Sequence, residues 1–169
     1  MNPVLFLDID GVINPNRPRL FPIKDPDLRE KLSVENDNPN INDLDLKFVT
    51  QIYYGFDPKA CQYIEDLCKE FRAKLVISSS WRLMLTLEQL IAVFDIHRLG
   101  HYVIGKTTDG TTRVQEIKEY IYKENITHYL VIDDFNMEVA FEKRMIRTKH
   151  VFTAQDYSKA RKQLLLQTK

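Results

Sequence analysis

Three features of the sequence predict a doubly wound α/β domain with a mainly parallel sheet. Short apolar runs recur at Val4 to Leu7, at Leu75 to Ile77 after Lys74, and at Tyr129 to Ile132, and such runs mark strands buried on both faces. Longer segments with apolar residues at helical spacing alternate with them, as parallel strands joined by helical crossovers require. Each run then stops at polar residues: Asp8 and Asp10, Ser78 to Ser80, and Asp133 with Asp134. In open α/β sheets ligands bind outside the carboxyl ends of the strands, where these residues would gather.

A length of 169 residues predicts one domain spanning 1–169, large enough to bury a core without staples. Apolar content of 44% and charged content of 28% are those of an ordinary globular chain. The formal net charge is zero, so no global electrostatic footprint for nucleic acid exists. Residues 141–169 nevertheless carry eight Lys/Arg against two acids. A basic segment of this kind can steer an anionic substrate, although a solvated helix face is the commoner meaning. No apolar run approaches the ~20 residues that cross a bilayer, and no leader pattern opens the chain, so a cytoplasmic protein without a membrane partner is expected.

The elements follow in order. Val4 to Leu7 is the first strand. Residues 15–56 form an insertion interrupted by five prolines, with a short helix expected near Asp27 to Leu32, a loop from Glu35 to Asn42, and a strand or helical turn at Lys47 to Tyr54. So long a segment between regular elements tends to be functional or disordered, and Arg17, Arg19, Lys24, Tyr53 and Tyr54 are its candidate substrate contacts. Asp57-Pro58 supplies an N-cap with proline at the first helical position, and Cys61, Ile64, Leu67, Cys68 and Phe71 follow on one face. The two cysteines stand about two turns, ~10 Å, apart, too far for a disulfide, and read as small core residues.

Lys74 to Ile77 is the second strand. Thr86 with Gln89 makes a capping box before a helix carrying Leu87, Leu90, Ile91 and Phe94. Tyr102 to Ile104 is expected as the third strand, with His97 and His101 as ordinary packed or exposed residues before it. Thr112 caps a helix with Val114, Ile117 and Ile121 inward. Tyr129 to Ile132 is the fourth strand and His150 to Thr153 the expected fifth, with a closing helix from Tyr157 to Leu166. No dinucleotide or P-loop glycine pattern is present.

The chemistry lies in the strand ends. Asp8 and Asp10, one residue apart, repel unless a cation or shared proton intervenes, and hard Mg²⁺, bound by one or two carboxylates together with a phosphate, suits the pair. Such a site serves phosphoryl transfer, one aspartate attacking phosphorus and the other protonating the leaving oxygen. Gly11 lets the backbone turn and approach a ligand. Ser78 to Ser80 at the end of the second strand offer hydroxyls for phosphate oxygens, or caps for the next helix, and Arg82 can add a bidentate contact. A cation near the nucleophile is expected from Arg113 or Lys106. Vicinal Asp133 and Asp134 at a half-buried strand end need a positive partner.

Phe-Leu-Asp-Ile-Asp-Gly-Val-Ile-Asn at residues 6–14 resembles motif I of the haloacid dehalogenase (HAD) superfamily, and Ser78-Ser79-Ser80-Trp81-Arg82 resembles its motif II in the narrower form of the HAD-like domain in Swiss Army Knife RNA repair proteins. The resemblance implies a three-layer α/β/α Rossmann-like fold, a five-stranded sheet of order 5-4-1-2-3, and a small cap or none from residues 15–56. It assigns Asp8 as nucleophile, Asp10 as general acid and base, and Ser78, with Ser79 second, as the phosphate-binding hydroxyl. Arg113 fits the motif III cation better than Lys106. In motif IV, Asp134 joins Asp8 and the Asp10 main-chain carbonyl around Mg²⁺ while Asp133 orients the metal's water or the cation, with Glu138 a weaker candidate.

The reading is a Mg²⁺-dependent phosphomonoester hydrolase, with a phosphorylated nucleotide or nucleic-acid end as substrate. The alternatives are a phosphotransferase or phosphoprotein phosphatase of the same fold, and a metal- or phosphate-binding module without turnover. A receiver domain is disfavoured because its acidic pair follows the first strand, whereas Asp133-Asp134 follows the fourth.

Overall fold

Val4, Leu5, Phe6 and Leu7 are all buried and form β1 (Val4–Leu7) at the centre of the sheet. The computed structural model describes residues 2–17 and 20–167. Four parallel partners flank β1 in the order β3-β2-β1-β4-β5, with β2 (Lys74–Ile77), β3 (Val103–Lys106), β4 (Tyr129–Asp133) and β5 (Met145–Arg147). This is the expected order read from the other edge.

Strand alternation divides the core into two layers. Leu5, Leu7, Leu75, Ile77, Leu130 and Ile132 face one way, against α1 (Leu28–Glu35), α2 (Leu46–Gly55), α3 (Pro58–Phe71), α4 (Leu87–Asp95) and α7 (Ala154–Gln167). Val4, Phe6, Val76 and Val131 face the other way, against α5 (Arg113–Lys123) and α6 (Glu138–Phe141). The helix starts follow the predicted caps: Asp57 accepts from the Ala60 N–H at 2.8 Å, Thr86 and Gln89 complete their box, and Thr112 accepts from the Gln115 N–H at 3.2 Å. Cys61 and Cys68 are free and buried on α3, where burial pushes both thiols up to about 12.

Residues 15–56 do not form a detached flap. Leu28, Leu32, Ile41, Leu44, Val49, Ile52 and Phe56 all belong to the larger core layer, α2 settles the ambiguous stretch as helix, and Pro39–Asp43 is a 3₁₀ turn within the expected loop. Polar ties reinforce the packing: Asn38 donates to Asp95 at 2.6 Å, and the His97 ring stands 3.0 Å from the Ile52 carbonyl. Among the described residues no helix is long and apolar enough to cross a membrane.

Two strands differ from expectation. β3 begins one residue late, because Tyr102 ends a 3₁₀ turn, and runs on to Lys106. The fifth strand is Met145–Arg147, which pairs with β4 through Val131↔Met145 and Ile132↔Ile146. Residues 150–153 are instead a connection in which Phe152 alone is buried, its N–H bonded to the Val12 carbonyl at 2.8 Å.

Candidate active site

Leu7 lies opposite both Ile77 and Ile132, so the next residues, Asp8, Ser78 and Asp133, end their strands at one level. Backbone bonds hold the level: Asp8 N–H donates to Ile132 O and Ser78 N–H to Leu7 O, each at 3.0 Å. The alternation that turns Phe6, Val76 and Val131 toward α5 turns these three residues the same way. There Arg113, the first residue of α5, donates from Nη1 to Asp8 Oδ2 at 3.1 Å and to Asp133 Oδ2 at 2.8 Å. The second Asp133 oxygen accepts from the Phe135 N–H at 2.8 Å.

Asp134 completes an acidic cluster. Asp8, Asp133 and Asp134 each offer a carboxylate oxygen within 4.8 Å of the others. Asn16 donates to Asp134 Oδ2 at 2.9 Å. Gly11, at φ +77°, passes so close that a Cβ there would collide with the Asp134 carboxylate and come within 2.8 Å of Asn16 Nδ2. Burial raises the Asp8 carboxyl above its ordinary range, and Asp134 adds to the rise, while Arg113, the Ile9 N–H and the Ser79 hydroxyl draw it back. Burial, then Asp8, pushes Asp133 up to about 7 against the pull of Arg113. Three hard oxygen donors gathered this closely fit a divalent cation.

Asp10 stands apart from this cluster. Its Oδ1 accepts from Asn14 Nδ2 at 2.6 Å and its Oδ2 from Trp81 Nε1 at 2.8 Å. Two adjacent aspartates thus hold different partners, a guanidinium for Asp8 and two neutral donors for Asp10. Asp8, Asp10, Ser80, Thr112, Arg113, Asp134 and Phe135 together line an open depression of about 530 Å³.

Several predicted residues fall elsewhere. Arg82 is not available to a phosphate: its guanidinium is ion-paired inside the fold with Glu116 and donates to the Ser78 and Ser79 carbonyls at 3.2 and 2.9 Å. Ser78 is 0% exposed and its hydroxyl has no hydrogen-bond partner among the described residues, while Ser79 is equally buried and bonds to Asp8. The hydroxyl that opens into the depression is Ser80. Lys106 is spent on the Arg82 and Leu85 carbonyls, at 2.9 and 2.7 Å, which leaves Arg113 as the cation beside Asp8. Asp10's carboxylate is outside the acidic cluster, so a metal contact from that residue would rest on its main chain. Glu138 borders an adjoining depression with Asp134 and His150.

Of the insertion residues, Arg17 and Tyr54 line a separate cavity, Tyr53 packs edge-on against Tyr54, and Lys24 is exposed. Arg19 lies outside the described residues. His97 is half-buried and stacked on Phe56, and His101 is exposed beside Tyr102. Sequence reasoning missed Asn16 and Glu116; Asn14 stood inside the motif I string and Ser80 and Trp81 inside the motif II string, without roles of their own.

A family model described as the HAD domain in Swiss Army Knife RNA repair proteins matches residues 4–157. No curated protein and no solved structure matches the chain significantly. The family match spans all five strands, the paired aspartates, the serine run, Arg113 and the acidic pair after β4, and with them the chain belongs to the HAD domains of Swiss Army Knife RNA repair proteins, hydrolase- and phosphatase-type members of the HAD superfamily.

Proposed function

We propose that this chain is a Mg²⁺-dependent phosphomonoester hydrolase that works through an aspartyl-phosphate on Asp8 and takes phosphorylated nucleotides or nucleic-acid ends. The observation that carries this reading is the unlike setting of Asp8 and Asp10. Asp8 is held by Arg113 inside the acidic cluster and Asp10 by Asn14 and Trp81 outside it. Paired carboxylates in different environments can divide nucleophile from acid and base.

Asp8 attacks phosphorus in line, the ester P–O bond breaks, and Asp10 delivers a proton to the leaving oxygen. Asp10 then takes a proton from the water that attacks the acyl phosphate, which releases phosphate and restores Asp8. Arg113 keeps the nucleophile charged and oriented, and Ser80 presents its hydroxyl to the phosphoryl oxygens from the wall of the depression. Asp8 and Asp134 would hold Mg²⁺, with Asp133 fixed behind them by Arg113 and the Phe135 N–H. When bound, the ion supplies charge neutralisation at the phosphoryl oxygens.

The test is phosphate release from aryl phosphate, nucleotides, sugar phosphates and 3′- or 5′-phosphorylated oligonucleotides, with and without Mg²⁺. Release that requires Mg²⁺ and is lost in Asp8→Asn is the expected result. Turnover retained by purified, folded Asp8→Asn would remove Asp8 as nucleophile.

A further inference from the structure

A cavity of about 390 Å³ lies between Asn14, Pro15 and Phe21 on one side and α2 and the 3₁₀ turn that carries Trp81 on the other. Its size is that of a small-molecule site. Phe21, Phe48, Tyr54, Phe56 and Trp81 supply its walls, with ring centroids 5.8 Å apart for Phe21 and Tyr54 and 5.4 Å for Phe48 and Trp81. Phe21, Phe48 and Trp81 are only half-buried and Tyr54 is exposed, so aromatic faces remain open. The wall is also fixed, because Gln51 clamps the Phe21 backbone by accepting from its N–H at 2.9 Å and donating to its carbonyl at 2.7 Å.

Two residues join this cavity to the chemistry. Asn14 and Trp81 line it and are also the two donors to Asp10. The Asn14 amide nitrogen faces Asp10, while its Oδ1 faces the cavity, 3.7 Å from where a Cβ on Gly55 would stand. The cavity therefore lies one layer of side chains beyond the Asp10 carboxylate.

We infer that this cavity is a subsite for the nucleobase of the leaving nucleoside, an inference that rests on Asp10 being the acid of the proposed hydrolysis. Stacking is what planar bases take from aromatic walls. The intervening layer requires a spacer of sugar length between phosphorus and ring. A nucleoside supplies that spacer. A tyrosyl phosphate, whose ring is bonded directly to the phosphoryl oxygen, does not. Asn14 Oδ1 and the exposed Arg17 and His150 at the rim give polar partners for base edges or sugar hydroxyls.

Trp81 is the sole tryptophan of the chain, so its fluorescence reports occupancy without turnover. The full-length Asp8→Asn protein is titrated with adenosine monophosphate, adenosine, ribose 5-phosphate, phosphotyrosine and a short phosphorylated oligonucleotide. Adenosine and its monophosphate quench saturably, ribose 5-phosphate binds at least about tenfold more weakly than the nucleotide, and Tyr54→Ala weakens nucleotide binding about tenfold. Tyr122→Ala, on the exposed side of α5, leaves the titration unchanged. Tighter binding of the oligonucleotide than of the mononucleotide identifies a strand end as the source of the base; equal binding identifies free nucleotide.

No quenching by adenosine, equal affinity for ribose 5-phosphate, or a response to phosphotyrosine alone would overturn the subsite. Intact quenching in a wild-type protein without phosphatase activity would instead reject the hydrolase reading and keep the base-binding cavity. Equal wild-type turnover of base-free and nucleoside phosphates would keep the hydrolase and reject the subsite.

Discussion

The Trp81 indole N–H donates to Asp10 Oδ2 at 2.8 Å across 71 positions of sequence. The contact fixes one oxygen of a carboxylate whose other oxygen Asn14 holds at 2.6 Å. A side chain that packs against Phe48 and Phe56 therefore also orients the carboxylate proposed as the acid.

Trp81→Phe separates the two roles. The phenyl ring keeps most of the aromatic contact but has no donor for Asp10. Acid–base catalysis contributes about 10²- to 10⁴-fold, and a loosened but intact Asp10 should forfeit part of it, lowering kcat about tenfold with little change in melting temperature and an altered pH profile. An unchanged kcat and pH profile in the folded variant would reduce Trp81 to packing.

Asp133 makes stability depend on pH in a defined direction. Its carboxyl is raised to about 7 in the folded protein from an ordinary 3.8, so between those values the native state binds more protons than the unfolded state. Stability from this group is complete below about pH 4 and is lost as pH rises toward 7. Without divalent cation, the difference in stability between wild type and Asp133→Asn should shift by roughly a few kcal/mol across that window, to the disadvantage of wild type at pH 7. Mg²⁺ should return stability to wild type at pH 7 by binding the native cluster. Denaturant titrations at pH 4 to 7, with Mg²⁺ or a chelator, measure both effects; a wild-type difference that grows with pH in the chelated protein would contradict the assignment.

Much of this frame was legible because strands buried on both faces leave an apolar signature. Val4–Leu7, Lys74–Ile77 and Tyr129–Ile132 were found by composition, and the residues that follow them define the site. β5 was misplaced for the same reason: Val151 and Phe152 are apolar and packed against the core as a connection, while Met145–Arg147 is three residues long and ends in a charge. Arg82 misled because its fate is set by Glu116, 34 positions away. Of the three serines after β2, Ser78 and Ser79 are buried and Ser80 lines the depression, a division the run of like residues does not show. Periodicity reports which face a residue takes. It cannot report which distant partner has claimed a polar group.

The Arg82–Glu116 pair should anchor the start of α5. Both side chains are 5% exposed, and Glu116 also accepts from the Gly110 N–H at 3.0 Å. Removing one charge strands the other in the interior, at a cost of about 3–5 kcal/mol. Glu116→Gln should therefore destabilise by about that amount, and Arg82→Met combined with Glu116→Leu should recover most of the loss. Thermal unfolding of wild type and the two variants decides the matter. A double variant as unstable as Glu116→Gln would show that the pair is not acting as a buried charge couple.

Gly11 is held to glycine by two independent constraints. At φ +77° a side chain adds left-handed strain of about 1–2 kcal/mol. Independently, an added Cβ would strike the Asp134 carboxylate and press on Asn16 Nδ2 at 2.8 Å. The backbone cannot retreat freely, because the Gly11 N–H is bonded to Asn14 O at 2.7 Å and its carbonyl accepts from the Thr148 hydroxyl at 2.7 Å. Asp134 is thus the group that must move, and with it one carboxylate of the acidic cluster. Gly11→Ala should lose about 1–3 kcal/mol of stability and lose Mg²⁺-induced stabilisation as well. Asn16→Ala, which removes only the Asp134 hydrogen bond, should keep most of both. Melting curves with and without Mg²⁺ separate these outcomes: a folded Gly11→Ala protein with a wild-type Mg²⁺ shift would show that Asp134 does not contribute to the metal site.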